Sequence, residues 1–265
     1  MNINTMARSK FFSRVFKTVM PVILLISVIS FRCKLPGHRG DDPESADSSL
    51  KLVASYQLDI EEPSGITFNH DYTACWIVDG HAQRIYKTDL KGNIIEKLHY
   101  KGDDIEGIFF RHSDSSLWIA EERSREVVHL NLKGNEIERF YTGIHGSDNK
   151  GLEGLAFDDK NTLFVLKEKD PASVFLLDDN FEVLKQYSLN FADDLSDMDF
   201  DPTSGNFFIL SDESRSVYVW NPAGRLVKKY LLALTKCEGI AVNPVKKKIL
   251  IVNDALNTLY EYEYK

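Results

Sequence analysis

Three glutamates stand directly before a glycine at spaced points of the chain: Glu106-Gly107, Glu153-Gly154 and Glu238-Gly239. An apolar run follows each. Further acidic residues come after a second apolar run, Glu122, Glu168 and Asp254 in the same copies and Asp212 in another. Carboxylates gathered in this number are the ligands hard cations take, since Ca²⁺ binds six to eight oxygens. Glu106, Glu153, Glu238 and Asp254 are therefore the expected metal ligands, with Ca²⁺ the expected ion. Lys150, Lys167, Glu168 and Asp212 are the expected contacts of a bound ligand, the two lysines receiving an anion or neutralising part of the acidic cluster. A structural role competes with this one: each Glu would accept backbone N–H bonds from the neighbouring unit and hold the units together. Repetition favours that second role, because a structural task recurs in every unit whereas a site needs asymmetry. Asymmetry exists too, since Ser64 and Ser196 replace Glu in two copies.

No other chemistry has a comparable signal. The chain has no G-x-S-x-G elbow, no H-E-x-x-H and no phosphate-cradling glycine loop. Of its seven histidines, only His81 and His145 are expected near the mouth where these acids gather, and a loop histidine is more often solvated than catalytic. The expected function is a binding module for an unknown small molecule or protein. The alternative is a metal-dependent hydrolase of lactonase, esterase or phosphatase type using the same carboxylates.

What positions these residues is a repeat. The Glu-Gly phrase is one of five: Pro63-Ser64-Gly65-Ile66, Ile105-Glu106-Gly107-Ile108, Leu152-Glu153-Gly154-Leu155, Leu195-Ser196-Asp197-Met198 and Cys237-Glu238-Gly239-Ile240, separated by 42, 47, 43 and 42 residues. A period of this size marks a repeat architecture. Each copy holds four short runs of strand character. In the first, Ile66, Ile108, Leu155, Met198 and Ile240 form one apolar column, and Phe68, Phe110, Phe157, Phe200 and Val242 a second, two residues on. A spacing of two puts both columns on one face of a strand. The second run is apolar throughout, as a strand buried on both faces should be. Gly or Asn then marks the turn before the fourth run, at Gly92-Asn93, Gly134-Asn135, Asn180 and Gly224.

Four-stranded units repeated radially make a β-propeller. The fold is thus all-β with five blades; six would need another copy, and no unassigned stretch is left to hold it. The fifth copy ends without a fourth run, while Leu52–Leu58 matches the fourth runs around Tyr187 and Tyr230. The N-terminal strand is expected to complete the last blade and close the ring. In such a ring the first strand of each blade lines the channel and the second returns to the same face. The Glu before each Gly and the acids ending the second run should then meet at one mouth. The long connection Thr142–Lys150 lies on that face as well.

The chain carries 32 Lys/Arg against 40 Asp/Glu, unevenly spread. Residues 1–40 hold seven of the bases and no acid, leaving an acidic body that argues against a nucleic-acid partner. Arg8 to Lys17 are basic, Val19–Phe31 apolar, and Cys33 follows. This order predicts a signal peptide or membrane anchor over 1–33. The apolar run is shorter than the roughly 20 residues of a spanning helix. Cys33 is a lipidation site or simply part of the signal, and Arg32 departs from the small residue a lipoprotein presents there. Residues 34–49, rich in Pro, Gly, Ser and Asp, predict a flexible tether, and residues 50–265 the propeller. The expected location is the bacterial envelope, with the membrane met through the N-terminus. Cys75 and Cys237 are read as small core residues, with pairing as the alternative.

Several phrases occur together and in order: Asp104-Ile105-Glu106-Gly107-Ile108, Asn149-Lys150-Gly151-Leu152-Glu153-Gly154-Leu155-Ala156, Leu166-Lys167-Glu168, Asp194-Leu195-Ser196, Leu210-Ser211-Asp212-Glu213-Ser214 and Cys237-Glu238-Gly239-Ile240-Ala241. Over about residues 50–265 the chain resembles the SdiA-regulated (YjiK-like) family of bacterial β-propellers. The resemblance implies an envelope-associated propeller with an N-terminal signal or anchor, and the family name points to no particular biochemical activity. More distantly the repeat is similar to NHL and gluconolactonase-like propellers. In those, channel acids can hold Ca²⁺, but their catalytic set has no recognisable copy here.

Overall fold

The computed structural model describes residues 50–146 and 150–265; the signal, tether and Cys33 lie outside them. Within the described residues there are twenty strands and no helix. They open with β1 (Lys51–Gln57). The first blade is β2 (Pro63–Phe68), β3 (Ala74–Asp79), β4 (Arg84–Asp89) and β5 (Ile94–Lys101). The second is β6 (Ile105–Arg111), β7 (Ser116–Glu121), β8 (Glu126–Leu130) and β9 (Glu136–Tyr141). The third is β10 (Leu152–Phe157), β11 (Leu163–Lys167), β12 (Ser173–Leu177) and β13 (Val183–Ser188). The fourth is β14 (Asp197–Asp201), β15 (Asn206–Ser211), β16 (Ser216–Asn221) and β17 (Arg225–Leu231). The fifth is β18 (Cys237–Asn243), β19 (Lys248–Asn253) and β20 (Thr258–Glu263). The blades are five antiparallel four-stranded sheets, and β1 is the outer strand of the last.

The N-terminal strand closes the ring as expected, pairing with the third strand of the last blade. Tyr56 faces Leu259 and Gln57 faces Thr258 across β1 and β20. Leu58 then extends the pairing by donating its N–H to the Asn257 carbonyl at 2.8 Å. The apolar columns are buried in every blade, and β3, β7, β11 and β15 are buried along nearly their whole length. Cys75 and Cys237 are buried, unbridged, and belong to different apolar clusters. The turn before the fourth strand follows the sequence in three blades, with Gly92, Gly134 and Gly224 at positive φ. In the third blade Phe181, not Asn180, takes the left-handed position, at φ 64°. The Asp178 carboxylate accepts the N–H groups of Asn180 (2.8 Å) and Glu182 (2.9 Å), as the Asp89 and Asn131 side chains accept the equivalent pairs in the first two blades.

Four of the five inner strands carry glycine at the ring's centre, where neighbouring strands leave no room for a Cβ. A Cβ on Gly65 would stand 2.6 Å from the Glu106 carbonyl oxygen, and one on Gly107 would overlap the Glu153 carbonyl. Gly107→Ala is expected to cost about 1–3 kcal/mol as overpacking, read as a lowered midpoint in urea with an unchanged slope. The fourth blade carries Asp197 where the others carry Gly. Its carboxylate crosses the centre and accepts the Ile240 N–H at 2.9 Å. Asp199 likewise accepts the Val242 N–H at 2.6 Å, and Thr67 Oγ1 the Phe110 N–H at 3.0 Å.

Candidate functional site

One backbone arrangement builds the acidic mouth in four of the five blades. The residue three before the repeated Gly is Glu62, Asp104, Gly151 or Lys236. Its carbonyl accepts the N–H of the residue just after the second strand: Gly80 (2.9 Å), Glu122 (2.9 Å), Glu168 (3.2 Å) or Asp254 (3.0 Å). This bond lays the second acidic tier against the first. Glu62, Asp104 and Lys236 adopt positive φ to reach it, at 48°, 66° and 60°. In the same four blades the pairing of the first two strands slips at the Glu-Gly or Ser-Gly step. Such a bulge bends the strand and re-aims the side chain, here towards the mouth.

The result is a cavity of about 330 Å³ walled by Asp104, Glu106, Glu122, Glu153, Glu168 and Glu238, with Ser64, Gln83 and Asp254 beside them. Two sets of three carboxylates, Asp104–Glu106–Glu122 and Glu122–Glu153–Glu168, each bring one oxygen per residue within 4.8 Å of the others, and Glu122 belongs to both. Oxygens at 2.3–2.6 Å from a Ca²⁺ ion lie at most about 5 Å apart, so each set matches the donor spacing of such an ion.

Burial and crowding hold four of the wall's carboxyls, Glu106, Glu122, Glu153 and Glu238, towards their protonated forms. Glu106 is pushed up to about 8, by burial first and then by Glu122, Asp104 and Glu238. Glu153 stands well above the ordinary carboxylate range, through burial and then Glu106, Glu122 and Glu168. Glu238 is pushed up to about 7 by burial and then Asp212. Burial also raises Glu122, opposed by the Gly151 N–H that its Oε1 accepts at 2.9 Å. Compensation is uneven. Lys169 Nζ lies 2.7 Å from Glu168, but no backbone N–H donates to Glu106, Glu153 or Glu238 among the described residues.

The sequence pattern of the SdiA-regulated family matches residues 47–260. The chain belongs to this family. Two solved structures share the fold of this SdiA-regulated propeller at low identity. Myxococcus xanthus glutaminyl cyclase aligns at 14% identity and TM-score 0.63, over 81% of this chain and 96% of that one. Kuenenia stuttgartiensis hydrazine synthase aligns at 11% identity and TM-score 0.53, over 76% and 83%. A streptogramin B lyase aligns at 16% identity and TM-score 0.49, over 83% and 74%.

In this SdiA-regulated chain Glu106, Glu153, Glu168, Glu238 and Asp254 converge on one cavity, although Glu238 and Asp254 belong to neither set of three. Lys150, Lys167 and Asp212 are not in its wall. Lys150 is ion-paired with Asp170, and Lys167 Nζ donates to the carbonyls of Lys169 (2.6 Å) and Asp170 (3.0 Å). Asp212 accepts the Lys236 N–H. Asp197, Asp199, Thr67 and Glu122 accept backbone N–H groups from neighbouring blades, a bond that the glutamates before Gly do not make among the described residues. Two acids that line the cavity, Asp104 and Glu62, are absent from the expected site. The available signal is their equivalent place, each three residues before the repeated Gly.

The inner strands also have an opposite end, which holds a second cavity of about 370 Å³. Its lining is aromatic, from Tyr72, Phe109 and Phe157 among others, with Asp199 and the two histidines His70 and His112. Burial pushes Asp199 up to about 7 even though its oxygens accept the N–H groups of Val242 and Phe200. Nothing in the repeated Glu-Gly phrase points to this end. The available signal was His70 and His112, two residues beyond Phe68 and Phe110 in the same column and 42 residues apart.

Proposed function

We propose that the propeller is an envelope-held binding module whose acidic mouth takes a divalent cation, Ca²⁺ by its all-oxygen donors, and through it an anionic or oxygen-rich ligand. The observation that carries this reading is the pair of carboxylate sets sharing Glu122, with no backbone donor to Glu106 or Glu153 among the described residues. Like charges at about 4 Å cost roughly 1–4 kcal/mol each at effective dielectrics of 80 to 20, and a bound dication offsets that cost. The basic, apolar and cysteine order of residues 8–33 supports placement at the envelope. The acidic body disfavours nucleic acid.

Calorimetric titration of the full chain with Ca²⁺ and Mg²⁺, alongside melting curves, tests it. Ca²⁺ is expected to raise the melting temperature, by the equivalent of about 2.7 kcal/mol at a hundred times Kd. Glu106→Gln and Glu153→Gln should each weaken binding at least about tenfold, or 1.4 kcal/mol. Identical melting in Ca²⁺, Mg²⁺ and chelator removes the cation from this reading.

A second reading uses the same groups as a metal-dependent hydrolase. It is favoured by Glu106, which, held near 8, can exchange a proton at neutral pH. Cation-dependent turnover of an aryl ester, lactone or aryl phosphate that disappears in Glu106→Gln would support it over binding alone.

A further inference from the structure

We propose that His70 and His112 form a transition-metal site at the aromatic mouth, opposite the acidic one, taking an imidazole-preferring ion such as Cu²⁺ or Zn²⁺. The two residues hold equivalent positions in consecutive blades, each two residues past the apolar column at the end of an inner strand. Their Nδ1 atoms converge to 3.2 Å on the exposed rim of the cavity. A tetrahedral ion with bonds of 2.0–2.1 Å sets its ligands about 3.3–3.4 Å apart, so the pair already has the separation of one edge of such a site.

The rings are held for this by their neighbours. His112 packs edge-on against Phe110 at 5.0 Å and lies 6.4 Å from Tyr72, while the two imidazole centroids are 5.2 Å apart. Among the described residues no third His, Cys or carboxylate completes a three-ligand set with them. Asp159 occupies the equivalent position in the third blade and lies on the rim of the same cavity. The ion would therefore have two protein ligands. Its remaining positions would be open towards the cavity lined by Tyr72, Phe109 and Phe157, where a small molecule bearing a donor atom and an apolar body fits.

Ligand softness separates the two mouths. Imidazole suits Cu, Zn and Ni, whereas carboxylate oxygens suit Ca and Mg. The ring thus offers a hard site at one end of its channel and a borderline one at the other.

The test is a Cu²⁺ titration of the full chain, purified without an affinity tag and kept in excess Ca²⁺ to cover the acidic mouth, followed by electron paramagnetic resonance. One equivalent of Cu²⁺ with hyperfine coupling to two imidazole nitrogens is the expected result. His70→Ala and His112→Ala should each weaken that equivalent at least tenfold and leave one nitrogen or none. His99→Ala, on the surface of β5, should change neither. The exposed positions of His70 and His112 mean that both variants should melt with the wild type in the absence of metal. The proposal fails if the bound Cu²⁺ shows oxygen ligands alone. It fails equally if the doubly substituted chain binds as the wild type does, or if no Cu²⁺ binds below millimolar concentration.

Discussion

Deleting residues 50–60 lowers the melting temperature of the whole ring by roughly 10 °C or more, at about 2–4 °C per kcal/mol for a chain of this size, whereas deleting residues 34–48 leaves it unchanged. The first deletion removes β1, although β1 itself buries little: Leu52 and Val53 are 53% and 42% exposed. The loss comes from two other sources. Leu58 and Ile60, both fully buried in the cluster with Leu250 and Leu259, go with it, and loss of a buried Leu or Ile costs about 2–5 kcal/mol each. The outer edge of β20 is also left unpaired, an open template for association with another chain. Against a total stability of about 5–15 kcal/mol the sum is severe. Calorimetric melting of the two truncations checks it, with light scattering to detect association. Equal melting temperatures would show that the ring does not depend on its clasp.

Without divalent cations, stability falls as pH rises from about 5 to above 8. The sign follows from the direction of the shifts. Glu106, Glu153 and Glu238 have folded-state values raised above those of the unfolded chain, to about 8 for Glu106 and about 7 for Glu238. Asp199 at the other mouth is raised to about 7. Between the unfolded and folded values the native state binds more protons, so raising the pH draws the equilibrium towards the unfolded chain. The stabilisation is complete below about 4.5 and is lost through the folded values. Each fully shifted carboxyl contributes a slope of at most about 1.4 kcal/mol per pH unit. Glu106→Gln should flatten the curve between pH 6 and 9, and saturating Ca²⁺ should flatten it further by favouring the ionised forms. Urea midpoints at several pH values, with and without chelator, provide the measurement. A flat profile in chelator would mean that the acidic mouth is already compensated.

Much of this molecule could be read from its chain. Five phrases at near-constant spacing, each followed by columns of period two, dictate five sheets, because that periodicity can bury its apolar face only as strands. The match of Leu52–Leu58 to the strands around Tyr187 and Tyr230 was enough to assign β1 to the last blade. The gathering of Glu106, Glu153, Glu168 and Glu238 at one end follows from the same logic, since residues in register along radial strands share a face. These are local and periodic properties, repeated often enough to be legible in a linear string.

What the tertiary structure alone decided is how groups from different blades meet. Asp197 replaces a glycine in one copy only, and just the assembled ring shows its carboxylate reaching the backbone of β18. Lys150 and Lys167 stand near the acids in sequence, yet Asp170 and two carbonyls hold them aside. The second mouth, with His70, His112 and Asp199, exists only where the far ends of five strands converge. Strand periodicity specifies which way a side chain leaves its own sheet. The distance to a side chain on the next sheet is set by the closing angle of the ring, a property of all five blades together.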